Sequence, residues 1–352
     1  MLITVIVLVL LLFLAPPVKL VKPEEGDYLS KESSLPVKGF FVAWVFLSHF
    51  KNCVDVSGGG FLSDSFLCLM SMMGQLCVVM FLFFSGYGIY CSLCRKEDYM
   101  RSFLLKRLLP VWLSFAICVG FFFVENLILG VSFDPLHTAL AFTGWTSIGN
   151  DNWYMFVTFA LYIFAYLSFR FIKPDKRFVG LIVFTCLSFG LLVGLFIAKR
   201  DEGSCWYNTI LCFPLGMWYA HFKDKIDAFI FRSRIRYFAA LLVFFGLCVA
   251  GYYLSEWHNT LYCAYAPATA LFMVMVMAKL RFRSLPLSFL GKHVFSIYIL
   301  QKLVFRAGIA MGLQSNIYLF LVGSFAVTVV LAVGYDWLFN FVRGKLTRRK
   351  PA

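Results

Sequence analysis

The chain has 352 residues, 61% of them hydrophobic and only 14% charged, with a formal net charge of +14. A soluble globular chain is nearer half apolar and a quarter charged, so this composition excludes a soluble enzyme. Its cations gather at the ends of apolar runs instead of forming one basic surface, which excludes nucleic acid as the partner.

Taken in chain order, apolar runs suited to membrane-spanning helices fall at about residues 2–15, 38–54, 65–90, 110–131, 152–170, 178–198, 205–221, 237–254, 259–278, 286–305 and 316–342. They predict an all-α polytopic membrane protein with about 11 transmembrane helices. With the amino terminus outside, 27 of the 32 Lys and Arg residues lie on inside segments, and only Lys51, Lys199, Arg200, Lys302 and Arg306 fall on the other side. The positive-inside bias therefore sets the amino terminus outside, the carboxyl terminus inside, and loops 91–109 and 222–236 in the cytosol. No basic segment precedes "LITVIVLVLLLFL", so residues 1–20 read as an uncleaved anchor and not as a signal peptide. Residues 36–342 then form one membrane domain and 343–352 a basic cytosolic tail. The segment "RKEDYMRSFLLKRLLP" suits an amphipathic helix on the inner surface, ending where Pro110 opens the next span.

The 11 cysteines are an odd number and sit mostly inside spans, where a free thiol acts as a small hydrophobe. Cys91 and Cys94 form one C-x-x-C with no second pair spaced for a metal site, so no metal is expected. Cys53, Cys205 and Cys263 lie near outer ends, where an oxidising compartment permits a disulfide between two of them.

One stretch carries chemistry of its own. In "KGFFVAWVFLSHF", Lys38 and His49 are eleven residues apart, which in a helix is about 16 Å and three whole turns. Both side chains share a face, with a cation at the inner mouth and an imidazole deep in the span. Ionisable groups inside a membrane are costly and face a cavity or a partner, and neutral imidazole can serve as a base near neutral pH. The bland alternative is a neutral His49 hydrogen-bonded to another helix. Glu125 in "GFFFVENLILG" and Asp336 in "AVGYDWLFNF" are the other deep ionisable groups. Each is a possible partner for His49, or else a structural hydrogen-bonding group.

From here the chain resembles the acyltransferase-3 family of membrane-bound O-acyltransferases over about residues 36–342. "KGFFVAWVFLSHF" resembles the family's basic-x10-His element, and "MFLFFSGYGIY" its F-F-x-S-G-aromatic element. "RSFLLKRLLPVW", "NWYMFVTFALY", "WYNTILCFPLGMWYA" and "FLGKHVFSIYILQ" resemble four later elements, in the family's order. The last departs from the pattern at Val294, where Ser is common, and at Gln301, where His is common.

The resemblance implies transfer of an acyl group, often acetyl, from cytosolic acyl-CoA to a hydroxyl of a surface glycan or its lipid-linked precursor. It also implies a bacterial cytoplasmic membrane. Lys38, Lys106 and Arg107 would hold CoA phosphates, unless the latter two are simply inside-facing anchors. His49 would be a general base or a covalent acyl acceptor. Ser85 lines the donor channel, or with Gly86 packs helices closely. Trp153 and Tyr154 stack on a sugar or belong to the interfacial aromatic belt, while Asn208 and Tyr298 are polar lining candidates. The rival reading is a glycan or lipid transporter or flippase, for which matched broken helices would be the sign.

Overall fold

The computed structural model describes residues 18–20, 26–54, 70 and 74–348. The expected span 2–15 and the last residues of the basic tail lie outside the described residues. The described residues are all-α apart from one small sheet. In order, α1 is Lys31–Phe50, α2 Leu76–Arg95, α3 Leu109–Leu129, α4 Pro135–Ala141, α5 Trp153–Phe169 and α6 Arg177–Lys199. Then follow α7 Cys212–Ile230, α8 Arg234–Trp257, α9 Tyr262–Lys279, α10 Leu285–Lys292, α11 Val294–Ala310 and α12 Ile317–Arg348.

Helix ends follow local chemistry. The Ser30 side chain caps α1 by accepting from the Ser33 N–H. Asp134 caps α4 by accepting from Leu136 and His137. Pro110 stands in the first turn of α3, where its missing N–H costs nothing. The π-helical turn Leu104–Leu108 leads directly into it, so Lys106 and Arg107 lie on helical turns continuous with α3.

Among the described residues six helices are long and apolar enough to cross a membrane: Leu76–Arg95, Leu104–Leu129, Pro174–Glu202, Arg234–Ser255, Tyr262–Lys279 and Ile317–Lys345. Together with the family assigned below they make this an integral membrane protein. The expected count of about 11 is not reached among the described residues, and the reasons are local. α1 carries Lys31, Glu32 and Lys38 within its twenty residues. α5 has only 17 residues. The run 286–305 breaks at His293, whose backbone leaves the helical region between α10 and α11. The run 205–221 begins as turns and becomes helix only at Cys212.

The sheet was not expected. β1 (Val18–Leu20) pairs antiparallel with β2 (Leu280–Phe282), Lys19 standing opposite Arg281. The alternation of apolar and basic residues in "LRFR" was the available signal.

Two helix crossings form the centre. At Gly39 an added Cβ would lie 1.9 Å from the Leu287 carbonyl oxygen, and at Gly291 2.0 Å from that of Leu35, so α1 and α10 touch backbone to backbone. At Gly86 it would lie 2.0 Å from the Phe213 oxygen, and at Gly216 2.2 Å from that of Phe83, which fixes α2 to α7 in the same way. Small residues at crossings permit this approach. Phenylalanines fill in around α1: Phe46 meets Phe305 at 4.8 Å and Phe325 at 5.0 Å between ring centroids, and Phe50 meets Phe320 at 5.3 Å. The periphery is different in kind. The apolar window of α8 buries none of its residues, and Ile235, Phe238 and Leu242 point outward as lipid-facing side chains do.

Candidate active site

The N-terminal half of α1 lines a cavity of about 970 Å³ together with α2, α5 and the junction of α10 and α11. Lys38, Ser85, Arg107, Tyr154 and Tyr298, five of the residues singled out in the sequence, all border it. Its walls carry six cations, Lys31, Lys38, Arg95, Lys96, Arg107 and Lys292, against one carboxylate, Asp27. None of the six has an ion-pair partner among the described residues. Lys38 rests its ammonium 5.1 Å from the centroid of the Phe84 ring. Five of the six are exposed and screened by water, while Lys38 is half-buried; together they make the wall of this space one that favours an anion. Lys106 is exposed and does not border the cavity.

The cavity stops at Tyr154 and Tyr298, whose rings meet edge to face at 5.4 Å. The Tyr298 hydroxyl is buried with no hydrogen-bond partner among the described residues. Behind it, at 6.5 Å between ring centroids, stands His49. The expected continuous stripe from Lys38 to His49 is therefore interrupted by one aromatic side chain.

His49 keeps company that the sequence reading did not assign to it. Its Nδ1 lies 3.5 Å from Asp151 Oδ2, an ion-pair distance without hydrogen-bond alignment, and both atoms are otherwise unpartnered among the described residues. Asp151 is almost fully buried, and its other oxygen takes Lys302 Nζ at 2.6 Å. The order Lys302, Asp151, His49 leaves the carboxylate charge compensated from one side and turned to the imidazole on the other. A carboxylate beside Nδ1 favours the tautomer that keeps Nε2 free as a base.

The loop before α5 holds Asp151 in place. Ser147 Oγ donates to the Asn150 carbonyl at 2.6 Å, and the Ile148 N–H donates to Asn150 Oδ1 at 3.0 Å. Arg306 Nη1 and Asn126 Nδ2 both donate to the Ile148 carbonyl, at 2.9 and 2.7 Å. Gly149, at φ +117°, lies under Arg306, where a side chain would collide with the guanidinium.

The two carboxylates considered as partners of His49 are engaged elsewhere. Glu125 pairs with Arg306 at 3.3 Å, so it steadies the residue that steadies the Asp151 loop. Asp336 takes His293 Nδ1 at 2.5 Å and the Ser296 hydroxyl, tying α12 to the start of α11. Asn208 is fully buried away from the cavity, its Oδ1 facing the Cys263 thiol at 3.6 Å. Trp153 packs on Tyr154 at 5.9 Å and does not border the cavity. Gln301 is fully buried, its Nε2 donating to the Tyr298 carbonyl at 3.1 Å. Cys53, Cys205 and Cys263 are free thiols.

A family model described as an acyltransferase domain matches residues 37–337. The chain belongs to the acyltransferase-3 family. No curated protein and no solved structure matches it. The match makes this a membrane acyltransferase, and it runs through both His49 and Tyr298. Asp151 and Lys302 were missed because each is far from His49 in sequence. The available signal was depth: His49 ends its span, Asp151 begins one, and Lys302 is among the few cations at that level.

Proposed function

We propose that this acyltransferase moves an acyl group, acetyl in the simplest case, from cytosolic acyl-CoA to a hydroxyl of a surface glycan or lipid-linked glycan. The setting is a bacterial cytoplasmic membrane, with the amino terminus outside and the carboxyl terminus inside. One observation carries the reading: six cations without an ion-pair partner among the described residues surround a cavity that ends one ring short of a half-buried histidine facing a carboxylate. The cations suit the donor's phosphates, and the narrow aromatic end suits its thioester arm.

His49 Nε2 takes the proton of the acceptor hydroxyl while that oxygen adds to the thioester carbonyl. The Tyr298 hydroxyl, buried without a partner among the described residues, donates to the oxyanion that forms. Collapse breaks the carbon–sulfur bond, and His49 returns the proton to the leaving CoA sulfur. Asp151 steadies the imidazolium between these steps. Tyr298 must turn aside for the thioester to reach His49, a rotamer change of one side chain.

Comparative mass spectrometry of surface glycans from cells with and without the chain tests the reading, paired with labelled acetyl-CoA in membranes. Loss of one acyl substituent together with loss of label transfer is the expected result. Unchanged glycans and no donor-dependent labelling would overturn it.

A further inference from the structure

The matched domain does not build the whole cavity. Asp27, Leu29, Ser30, Lys31, Ser34 and Leu35 also line it, yet all precede the matched range 37–337. This leading strap is fastened at several points. Tyr28 is buried, and its hydroxyl donates to Asp227 Oδ1 at 2.5 Å and meets the Tyr219 hydroxyl at 2.7 Å. Burial pushes the Tyr28 phenol well above its ordinary range, so it remains a donor. Lys223 bridges Asp227 at 2.7 Å and Asp27 at 3.6 Å. Arg281 Nη2 donates to the Gly26 carbonyl at 2.7 Å, next to the β1–β2 pair.

Among the described residues Asp27 is the only carboxylate on a wall of six cations. Its Oδ1 accepts from the Leu29 N–H at 3.1 Å and faces Lys223. Its Oδ2 has no partner among the described residues. A carboxylate at this place repels phosphate and accepts hydrogen bonds. A ligand that satisfies both kinds of wall is polyanionic over most of its length and carries N–H or O–H donors at one end. The volume is near the upper end of cofactor-sized sites, about 300–1,000 Å³, large enough for a nucleotide and an attached arm.

We propose that the strap before residue 37 is a donor-selecting element, in which Asp27 Oδ2 accepts a hydrogen bond from the nucleobase amine of a nucleotide-bearing thioester. The proposal rests on the reading that this cavity takes acyl-CoA. It makes the free nucleotide thioester the preferred donor over one that ends at phosphopantetheine.

Titration calorimetry on the full chain in detergent tests it with two probes, coenzyme A and 4′-phosphopantetheine. The wild type should bind coenzyme A more tightly. Asp27→Asn should weaken coenzyme A about tenfold, the loss of one charge-assisted bond, and leave 4′-phosphopantetheine unchanged. Asp27→Glu should retain the preference. Tyr28→Phe, which loosens the strap while leaving every lining residue in place, should reduce the preference by several fold even if Asp27→Asn proves unstable. An equal change for both probes, or tighter coenzyme A binding in Asp27→Asn, would overturn the proposal and make Asp27 a brake on anions. Failure of the wild type to bind either probe would instead overturn the donor-site reading beneath it.

Discussion

Lys38 and Lys302 are both lysines close to the proposed chemistry, and they are treated in opposite ways. Lys302 has its counter-ion built in, Asp151 at 2.6 Å. Lys38 has an aromatic ring at 5.1 Å and, among the described residues, no carboxylate partner. A cation already satisfied by its own protein positions something, here the carboxylate that faces His49. A cation left unsatisfied and enclosed is waiting for charge from outside. The comparison separates the two halves of the site: one is internally neutralised and preorganised, the other is complete only with a ligand.

The largest expected effect tests the preorganised half. His49→Gln should leave abundance and detergent stability near normal and reduce acyl transfer at least about a hundredfold, as loss of a general base does. Substantial activity in a well-folded variant would reduce the imidazole to a structural group and end the contrast.

Tyr298→Phe comes next. It removes a buried hydroxyl that has no partner among the described residues, so stability should be unchanged or slightly higher. The turnover number should fall about a hundredfold if that hydroxyl meets the oxyanion. Equal activity with higher stability would make it a packing residue.

Asp151→Asn alone strands the Lys302 ammonium and should lower abundance. The double variant Asp151→Asn with Lys302→Met removes both charges and should restore abundance, while transfer stays down about tenfold or more. Full activity in the double variant would show that the pair serves only itself.

The smallest effect sharpens the other half. Lys38→Glu should raise the apparent KM for acyl-CoA about tenfold or more, with the acceptor KM little changed. An unchanged donor KM with less protein in the membrane would make Lys38 an anchor and erase its difference from Lys302.

The sequence was informative where one residue type has one physical use. Apolar length declared six of the membrane helices, and the six ordered elements declared the family. The glycines inside those elements, Gly39, Gly86, Gly216 and Gly291, turn out to be the two backbone crossings. The same elements carry Lys38, Ser85, Arg107, Tyr154 and Tyr298 to one cavity. What could not be read was pairing across distance. Nothing in "NDNW" says that Asp151 will face His49, because that depends on Arg306 drawing the loop inward from another helix. Helix interruptions were equally hidden: the run 286–305 stays apolar enough to read as one span, yet the chain turns at His293. The strap's lining role was hidden as well, since it depends on Tyr28 reaching Asp227 near the far end of α7.

The reciprocal glycine crossings also constrain how this protein can move. Where side chains interdigitate, one rotamer change lets two helices slide or part. Where a carbonyl oxygen rests against a glycine Cα, as at Gly39 with Leu287 and Gly86 with Phe213, there is no rotamer to change. Such contacts act as rivets. The α1–α10 and α2–α7 pairs are therefore a fixed chassis, and the play that admits a donor at one end and an acceptor at the other must come from hinged parts mounted on it: aromatic side chains such as Tyr298, and the outward-facing helices whose neighbours are lipid.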